Sequence, residues 1–597
     1  MNKHNENFWK IITALILFSS TVLFILSIFT YPQIIQFLGK FQPDGSFDSL
    51  SQLEFNILLW LVRTKALILA LIGIFSLLKK ALVIRWLQRL DKKISAISIR
   101  NDLKHIFQST YSLEDKWTIL ALVGVTIIGI FIRLIQINNA VGYDEAYTFI
   151  HFGSRSLQVI LTDYSAPNNH IFHSLLVYIV YHIIGNHVWA LRLPAFLAGV
   201  FTIPGIYMAG KVIYGKNAAL LAATLVACTP VLVGFSVNAR GYSLMCLFSC
   251  LILWITGILR RQTSFTGWLL LSLFSTLGFY TLPVMVYPVS AVFLWLLVSW
   301  IIKDIYSNSR GKYIFGLIVT SISTILITFL LYSPILIFGS GFSSITSNEF
   351  VKSQSWLDFL QSVQSRIPRV WGDWNYLVPS WVALITIFGF ILLVVFEWKS
   401  FSHKIPVWIP TVISITVLIV LQRVTPWPRV WLFLLVFYLL WAAAGWVALI
   451  QLLAAKITLK WLQPVFLVAI ILLTFFTYVA YRNKPSLNPS EEYPMQEVAE
   501  FVSNHITDDD TLVAVSPVTI QAGYYLTIEK IPFERFYDRD RKGDIKHAIV
   551  LVADRSRFPT LQSVVEFQNL LGILDTGKAE LIHEYKRMQV YSVPVLP

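Results

Sequence analysis

Long runs of apolar residues, separated by short polar loops, constrain the fold of this chain more than any other feature. A helix needs about 20 mostly apolar residues to cross a hydrocarbon core about 30 Å thick. Runs of that length recur throughout residues 1–481. Mean hydropathy is +0.66 and 13% of the residues are charged, which is roughly half the charged fraction of a soluble domain. The pattern predicts an integral membrane protein that crosses the bilayer many times.

Basic residues concentrate in every second loop, and this bias indicates which loops are cytoplasmic. With the N-terminus inside, pairs such as Lys79-Lys80 and Arg260-Arg261 end helices on the cytoplasmic side. The short run His170–Gly185 is predicted to be an interfacial helix, because a crossing there would invert all later basic loops. Thirteen crossings follow, near 9–30, 57–78, 117–137, 189–211, 217–236, 242–259, 266–282, 284–302, 313–337, 379–396, 406–421, 430–450 and 461–481.

Three domains are predicted from these boundaries. Residues 1–116 form a two-helix extension with a basic cytoplasmic linker, in which Arg63 and Lys65 either snorkel outward or mark a later helix start. Residues 117–481 form the main membrane domain, with a large outer loop at 138–187. Residues 482–597 form a small extracytoplasmic α/β domain, with a helix at Met495–His505, strands at Thr511–Val515 and Ala548–Val552, a helix at Phe558–Leu570 and a strand pair in Leu581–Val593.

The net charge of +14 does not indicate a nucleic-acid partner. Residues 482–597 contain 13 Lys and Arg against 17 Asp and Glu, a net charge of −4, so residues 1–481 have a net charge of +18. That surplus is spread over short loops between helices rather than concentrated in one basic patch. All three cysteines lie in apolar segments, so the C-terminal domain has no disulfide and no cysteine ligand for a metal.

Two adjacent carboxylates, Asp144 and Glu145, follow the third predicted helix at the outer membrane surface. A solvated loop pair is the simplest interpretation. However, the flanking residues are apolar and aromatic, and an acid held against such a surface requires a partner or a task. A carboxylate there can remove the proton of an acceptor hydroxyl during group transfer.

Further polar residues lie at outer helix ends. In Ser165–His170 a turn at Pro167 precedes the interfacial helix, whose first N–H groups and His170 can face a phosphate or simply cap the helix. Arginine is disfavoured at outer helix ends, and a guanidinium binds phosphate well. Contact with lipid headgroups is the alternative. The arginines concerned are Arg192, Arg240, Arg423 and Arg429.

Together these motifs resemble the dolichyl-phosphate-mannose-protein mannosyltransferase superfamily, and particularly its bacterial branch with the aminoarabinose transferase type. The resemblance covers roughly residues 117–450 and implies the GT-C fold, a polyprenyl-phosphate sugar donor, inversion at the anomeric carbon and transfer outside the cytoplasm. By position, Asp144 would be the general base and Glu145 would orient donor or acceptor. The phosphate-binding residues would be His170, Arg192, Arg240 and Arg429, and the substrate-lining residues Tyr143, Asn168, Asn169 and Tyr242.

The chain also departs from that pattern. Some relatives have an acid in the second outer loop, where this chain has Asn238-Ala239-Arg240-Gly241-Tyr242, which favours an enzyme that needs no metal or other cofactor. A lysine of the aminoarabinose type is replaced by Asn168 or Asn169. The expected partners are membrane lipids, the lipid-linked donor and a protein, lipid or glycan acceptor. The expected location is the plasma (inner) membrane. The alternative is a multi-pass transporter or flippase of lipid-linked or small solutes, although charges gather here at the membrane surface rather than at its midplane.

Overall fold

The computed structural model of the protein describes residues 3–39, 52–85, 96–111, 116–305, 310–346, 352–401, 404–454, 493–538, 545–554 and 556–596. Within these ranges, seven helices are long and apolar enough to cross a membrane, or eight when one bent pair is counted as a single span. The protein is therefore an integral membrane protein with a small C-terminal domain, as the sequence predicts.

Three helices form the N-terminal extension: α1 (Lys3–Leu26), α2 (Tyr31–Gly39) and α3 (Gln52–Leu78). The short helix α2 falls in a stretch that the sequence analysis treats as loop. Because α3 already begins at Gln52, its charged residues do not mark a later start. Instead Arg63 donates to the carbonyl oxygen of Ser27 at 3.2 Å, and the Lys65 ammonium lies 4.6 Å from the ring centroid of Phe329.

Seventeen further helices lie between residues 96 and 454 in the described part of the chain, the first of them within the predicted basic linker. Each of the first twelve predicted crossings falls on a helix of the structure, while the last one, at 461–481, lies outside the described residues. The remaining helices are α4 (Ala96–Tyr111), α5 (Lys116–Leu134), α6 (Tyr143–Thr148), α7 (Leu157–Thr162), α8 (Ile171–Ile184), α9 (Val188–Tyr214), α10 (Lys216–Cys228), α11 (Pro230–Ser236), α12 (Tyr242–Arg261), α13 (Phe265–Thr281), α14 (Val286–Ile301), α15 (Arg310–Phe338), α16 (Gly341–Thr346), α17 (Trp356–Trp374), α18 (Ser380–Ser400), α19 (Trp408–Gln422) and α20 (Leu432–Ala454).

The predicted interfacial helix exists as α8. Its 14 residues give a length of about 21 Å at 1.5 Å per residue, which is short of a hydrocarbon core about 30 Å thick. The length agrees with an interfacial position.

The fifth predicted crossing is broken rather than continuous. Helices α10 and α11 meet at Thr229 with a bend of 64°, because Pro230 has no N–H to donate and its ring is incompatible with an uninterrupted helix. A carbonyl freed inside a membrane needs another donor. Arg133 on α5 supplies it: its Nη1 donates to the carbonyl oxygens of Ala227 at 3.0 Å and Gly129 at 2.9 Å.

A buried ion pair joins several helix ends at the end of the bundle opposite to Asp144. Arg260, at the end of α12, pairs with Asp304, which follows α14, and the backbone N–H of Lys404 donates to the same carboxylate at 2.9 Å. Helix α4 lies nearby, where Trp254 Nε1 donates to Thr110 Oγ1 at 3.0 Å. Helix ends predicted to share the cytoplasmic side thus lie at one end of the bundle.

The C-terminal domain contains α21 (Met495–His505), β1 (Asp510–Val513), α22 (Val518–Ile528), β2 (His547–Ala553), α23 (Leu561–Phe567), β3 (Glu580–Tyr585) and β4 (Met588–Pro594). The sheet order is β1-β2-β4-β3; β1 and β2 are parallel and the other pairs antiparallel. All predicted elements are present, although α23 is shorter than expected. Helix α22 was not predicted, because it is buried nearly all round and its apolar residues show no 3.6-residue period.

The two faces of the sheet pack against different partners. Leu512, Ile549 and Val590 share one core with α21, α22 and residues of the membrane domain around α6. The alternate residues Val513 and Val550 pack with α23 on the other face, as the two-residue period of a strand requires. The C-terminal domain and the membrane domain are therefore joined through a common hydrophobic core.

A polar row also ties three strands of this sheet together. His547 pairs through Nδ1 with Asp510 on β1 and through Nε2 with Ser592 Oγ on β4, the latter at 2.9 Å. Asp510 also accepts the backbone N–H of Thr507 at 2.7 Å. Since Ser592 lies within a strand that is paired on both sides, the row holds the strands in register.

Candidate active site

Side chains from three separate places in the chain meet at the carboxylate of Asp144. Asp144 lies in the first turn of α6, Arg240 lies between α11 and α12, and Arg429 lies in the 3₁₀ turn Pro428–Trp431 ahead of α20. Both arginines contact Asp144 Oδ2: Arg240 Nη1 forms a close ion pair with it, and Arg429 Nη1 donates to it at 3.0 Å. The fold thus brings together residues up to 285 positions apart.

The surroundings of Asp144 are open on one side only. Asp144 and Arg429 are each 32% exposed, whereas Arg240 is only 3% exposed. Asn168 connects Asp144 with Arg240: its Nδ2 donates to Asp144 Oδ1 at 3.4 Å, and its Oδ1 accepts from Arg240 Nη2 at 3.2 Å. The ring of Tyr242 lies 5.2 Å from the Arg240 guanidinium and 6.0 Å from that of Arg429. The result is a partly open carboxylate with two guanidinium groups against an aromatic ring.

His170, immediately before α8, is fully buried beside this cluster. The backbone N–H of Gly241 donates to His170 Nδ1 at 2.7 Å, so the ring proton is assigned to Nε2. Burial, and then the charge of Arg240, lowers the pKa of His170 well below its ordinary value, so the ring is neutral. Among the described residues Nε2 has no hydrogen-bond partner. A buried donor without an acceptor is costly, and it suits an anionic ligand.

Glu145, next to Asp144, points into the protein instead and is 1% exposed. Arg192 binds the Glu145 carboxylate in a bidentate way: Nε donates to Oε1 at 2.9 Å and Nη2 donates to Oε2 at 2.8 Å. Backbone N–H groups complete the set, from Ala239 to Oε1 at 2.7 Å and from Gly142 to Oε2 at 3.0 Å. The carboxylate is saturated by four N–H donors within the protein.

Arg192 is saturated as well, which corrects its predicted role. Besides the two bonds to Glu145, it donates to the carbonyl oxygens of Ile137 at 2.9 Å, Asn139 at 2.7 Å and Ala140 at 3.0 Å. A guanidinium has five N–H groups, and all five are used. Arg192 is therefore not free to bind a phosphate, and Glu145 is not free to orient a substrate. The pair instead fixes the loop that leads into α6.

The other predicted residues divide in the same way. Asn169 is buried, and its Nδ2 donates to the carbonyl oxygens of Ile160 and Asp163 at 2.9 and 2.7 Å, so it supports the loop rather than lining the site. Tyr143 is half-buried beside Asp144 and packs 6.0 Å from the ring of Tyr147. Arg423 lies over the ring of Trp356, 5.6 Å away, rather than beside Asp144.

Two residues of the site region were missed by the sequence analysis. Gln521 and Tyr525, both on α22, contact the backbone of Val141, three residues before Asp144. Nothing in their sequence surroundings distinguishes them from packing residues, because the contact depends on how the two domains dock.

Comparison with known proteins places this geometry in a known fold. Residues 168–336 match the family model described as dolichyl-phosphate-mannose-protein mannosyltransferase. The structure superimposes on the crystal structure of ArnT from Cupriavidus metallidurans in the apo state with a TM-score of 0.50 and 15% sequence identity, over 80% of this chain and 97% of ArnT. The chain therefore has the fold of ArnT. The fold class predicted from the sequence is thereby confirmed.

Two further relatives are more distant or shorter matches. Over 113 residues this chain is 33% identical to the Bacillus subtilis (strain 168) protein YkcB, whose name suggests a mannosyltransferase; the match spans 19% of this chain and 16% of YkcB. The oligosaccharyltransferase AglB from Archaeoglobus fulgidus aligns with a TM-score of 0.44 and 12% identity, over 73% of this chain and 69% of AglB.

The family match includes His170, Arg192 and Arg240, but Asp144 lies before it and Arg429 after it. The grouping of these last two residues with the others therefore rests on the contacts in this structure.

The saturated Glu145–Arg192 pair should contribute more to stability than the partly exposed Asp144–Arg429 pair. Arg192→Lys keeps the charge but cannot make five bonds, so we expect a loss of roughly 3 kcal/mol in the free energy of unfolding. Arg429→Lys, at a partly exposed pair, should cost about 1 kcal/mol or less. Thermal unfolding in one detergent measures both, and equal losses for the two variants would contradict the assignment.

Proposed function

We propose that this GT-C protein is an inverting glycosyltransferase that transfers a sugar from a polyprenyl-phosphate donor to an acceptor hydroxyl. The observation that carries the proposal is the partly exposed Asp144 carboxylate, placed between Arg240 and Arg429. It lies beside His170 Nε2–H, for which the described residues offer no hydrogen-bond partner. Transfer from a phosphate-linked sugar needs a base for the acceptor and cations for the leaving phosphate within one small site.

In the proposed reaction the acceptor oxygen attacks the anomeric carbon on the face opposite to the phosphate. The new carbon–oxygen bond forms as the bond to the phosphate oxygen breaks, which inverts the anomeric configuration. The acceptor proton passes to Asp144, and the electron pair of the broken bond stays on the phosphate. Arg240, Arg429 and His170 Nε2–H stabilise the charge that grows there.

The two arginines have different parts in this reaction. Arg240 is buried and tied to both Asp144 and Asn168, so it keeps a fixed position. Arg429 is partly exposed and donates to Asp144 through Nη1. Because a guanidinium has five donors, Arg429 can bind a phosphate oxygen on its open side while it still holds Asp144.

An apolar groove close to the cations supports a donor with a lipid tail. It encloses about 520 Å³ between α17, α19 and the loop ahead of α20, and residues such as Val363, Ile419 and Trp431 line it. Pro426 also lines it, three residues before Arg429. An anionic head at Arg429 and an isoprenoid chain in the groove would be recognised by adjoining surfaces. ArnT, whose fold this chain shares, has also been solved bound to undecaprenyl phosphate.

We place the site on the extracytoplasmic side of the plasma membrane, because the loops at the opposite end of the bundle have the surplus of Lys and Arg. We also propose that the reaction needs no metal. The groups that surround Asp144 are guanidinium groups, and two of them within contact distance oppose a divalent cation at the same carboxylate.

Replacing the base tests the reaction directly. In a strain that lacks the protein, mass spectrometry of lipids and glycans identifies the sugar-bearing product that disappears. We expect wild-type protein to restore this product and Asp144→Asn to lower it at least about 100-fold, because the amide cannot accept the proton. Asp373→Asn, which changes an exposed acid of α17, is the matched control.

The same comparison is then made in isolated membranes with EDTA. Full product formation by a well-inserted Asp144→Asn protein would exclude the base assignment, and loss of product with EDTA that added Mg²⁺ or Mn²⁺ restores would exclude metal independence.

Single-cysteine labelling tests the orientation. The three native cysteines are buried, so labelling of a new surface cysteine can be distinguished from labelling of the native ones. Asp509→Cys lies in the C-terminal domain, on the side of Asp144, and should react with a membrane-impermeant maleimide in intact cells. Lys216→Cys, at the first residue of α10 at the other end, should react only after permeabilisation. The reverse result would place Asp144 in the cytoplasm and overturn the proposed side of transfer.

Filling the groove tests the site of the tail. Ile419→Trp should raise KM for the full-length donor at least about tenfold, since extra volume displaces the isoprenoid chain. A donor with a shortened tail and the same sugar should be affected less than twofold. Ile413→Trp, on an exposed face of the same helix, is the control. If both donors respond alike to Ile419→Trp, the tail does not occupy this groove.

A further inference from the structure

Helix α22 of the C-terminal domain forms two hydrogen bonds with the backbone just before Asp144. The N–H of Val141 donates to the hydroxyl oxygen of Tyr525 at 2.8 Å, and Gln521 Nε2 donates to the carbonyl oxygen of Val141 at 3.1 Å. Residues four apart lie on the same face of a helix, so one turn of α22 satisfies both polar groups of one buried residue. This pairing resembles the way a neighbouring strand holds a residue in a sheet.

These two hydrogen bonds matter because the segment between α5 and α6 has no regular secondary structure of its own. Between the end of α5 and the start of α6 the chain runs through turns and extended residues. Arg192 holds the carbonyl oxygens on one side of Val141, at Asn139 and Ala140, and Glu145 accepts the N–H of Gly142 on the other. Along the segment that leads into α6, the contacts from α22 therefore lie between those made by Arg192 and that made by Glu145.

The residues of α22 between Gln521 and Tyr525 are closely packed against their neighbours. Tyr524 is fully buried, and its ring lies edge-on to that of Phe149, with the centroids 5.3 Å apart. At Gly523 a Cβ would lie 2.5 Å from Phe533 Cδ2 and 3.4 Å from Ile150 Cδ1, so only glycine permits this approach. Side chains of both domains thus enclose the helix that contains Asp144.

We propose that Gln521 and Tyr525 are positioning residues for transfer, and that the C-terminal domain forms part of the catalytic scaffold rather than a separate module. They set the position of the turn before α6, and through it the direction of the Asp144 carboxylate toward the bound donor and acceptor. This inference rests on the proposed role of Asp144 as the base.

The test uses the full-length protein with Gln521→Met and Tyr525→Phe combined. These changes keep the volume and remove the groups that contact Val141. The matched control combines Gln589→Met and Tyr591→Phe, because that pair offers the same chemistry in the same domain and its members bond to each other on β4. Hydrogen–deuterium exchange of the peptide that spans residues 137–146 is measured alongside steady-state transfer.

We expect at least tenfold faster exchange of that peptide in the Gln521/Tyr525 variant, and no change in the control. We also expect kcat to fall about 10- to 100-fold with the donor KM within twofold, since a misplaced base slows chemistry without weakening binding. Unchanged exchange would overturn the claim that Gln521 and Tyr525 hold the backbone at Val141. Faster exchange with unchanged kcat would overturn the positioning role. Because exchange needs no substrate, it is independent of the proposed activity, which the Asp144→Asn assay judges separately.

Discussion

The buried ion pair between Glu145 and Arg192 is the interaction on which the site depends. Two charges taken out of water cost several kcal/mol each unless their hydrogen bonds are complete, and here both groups are saturated. The pair reaches three parts of the chain at once: the loop before α6, the first turn of α9 and the backbone N–H of Ala239. Since Arg240 follows Ala239 directly, one ion pair sets the positions of both Asp144 and its buried cationic partner.

Adjacent carboxylates can have opposite tasks because neighbouring residues of a helix point about 100° apart. Glu145 turns toward the core shared by the two domains, while Asp144 turns toward the opening between Arg240 and Arg429. An acid in this position must be rigid without being saturated. The neighbouring residue supplies the rigidity, and α22 supports the same turn from the other domain.

The sequence predicts features that depend on local composition and misses those that depend on docking. Apolar length fixes the helices, and two-residue alternation fixes the strands of the C-terminal domain. The location of Arg192, Arg240 and Arg429 at helix ends was also predictable. What the sequence cannot express is whether a guanidinium is buried and already used by the protein, as that of Arg192 is, or partly exposed, as that of Arg429 is. Helix α22 was missed for a related reason: burial on nearly every side removes the periodicity by which a helix is recognised.

The bundle has a charged cluster at each end, and the two clusters differ in how completely their hydrogen bonds are satisfied. At the far end the Asp304 carboxylate accepts from Arg260 and from the backbone N–H groups of Lys404 and Ile405, and it is 4% exposed. Such a closed cluster can only join helices. At the Asp144 end the acid and one arginine remain a third exposed, and the buried His170 has a donor that the described residues leave unpartnered. A low-dielectric site tolerates unpaired groups only at a cost, so this incomplete cluster is where binding energy from an anionic substrate can be gained.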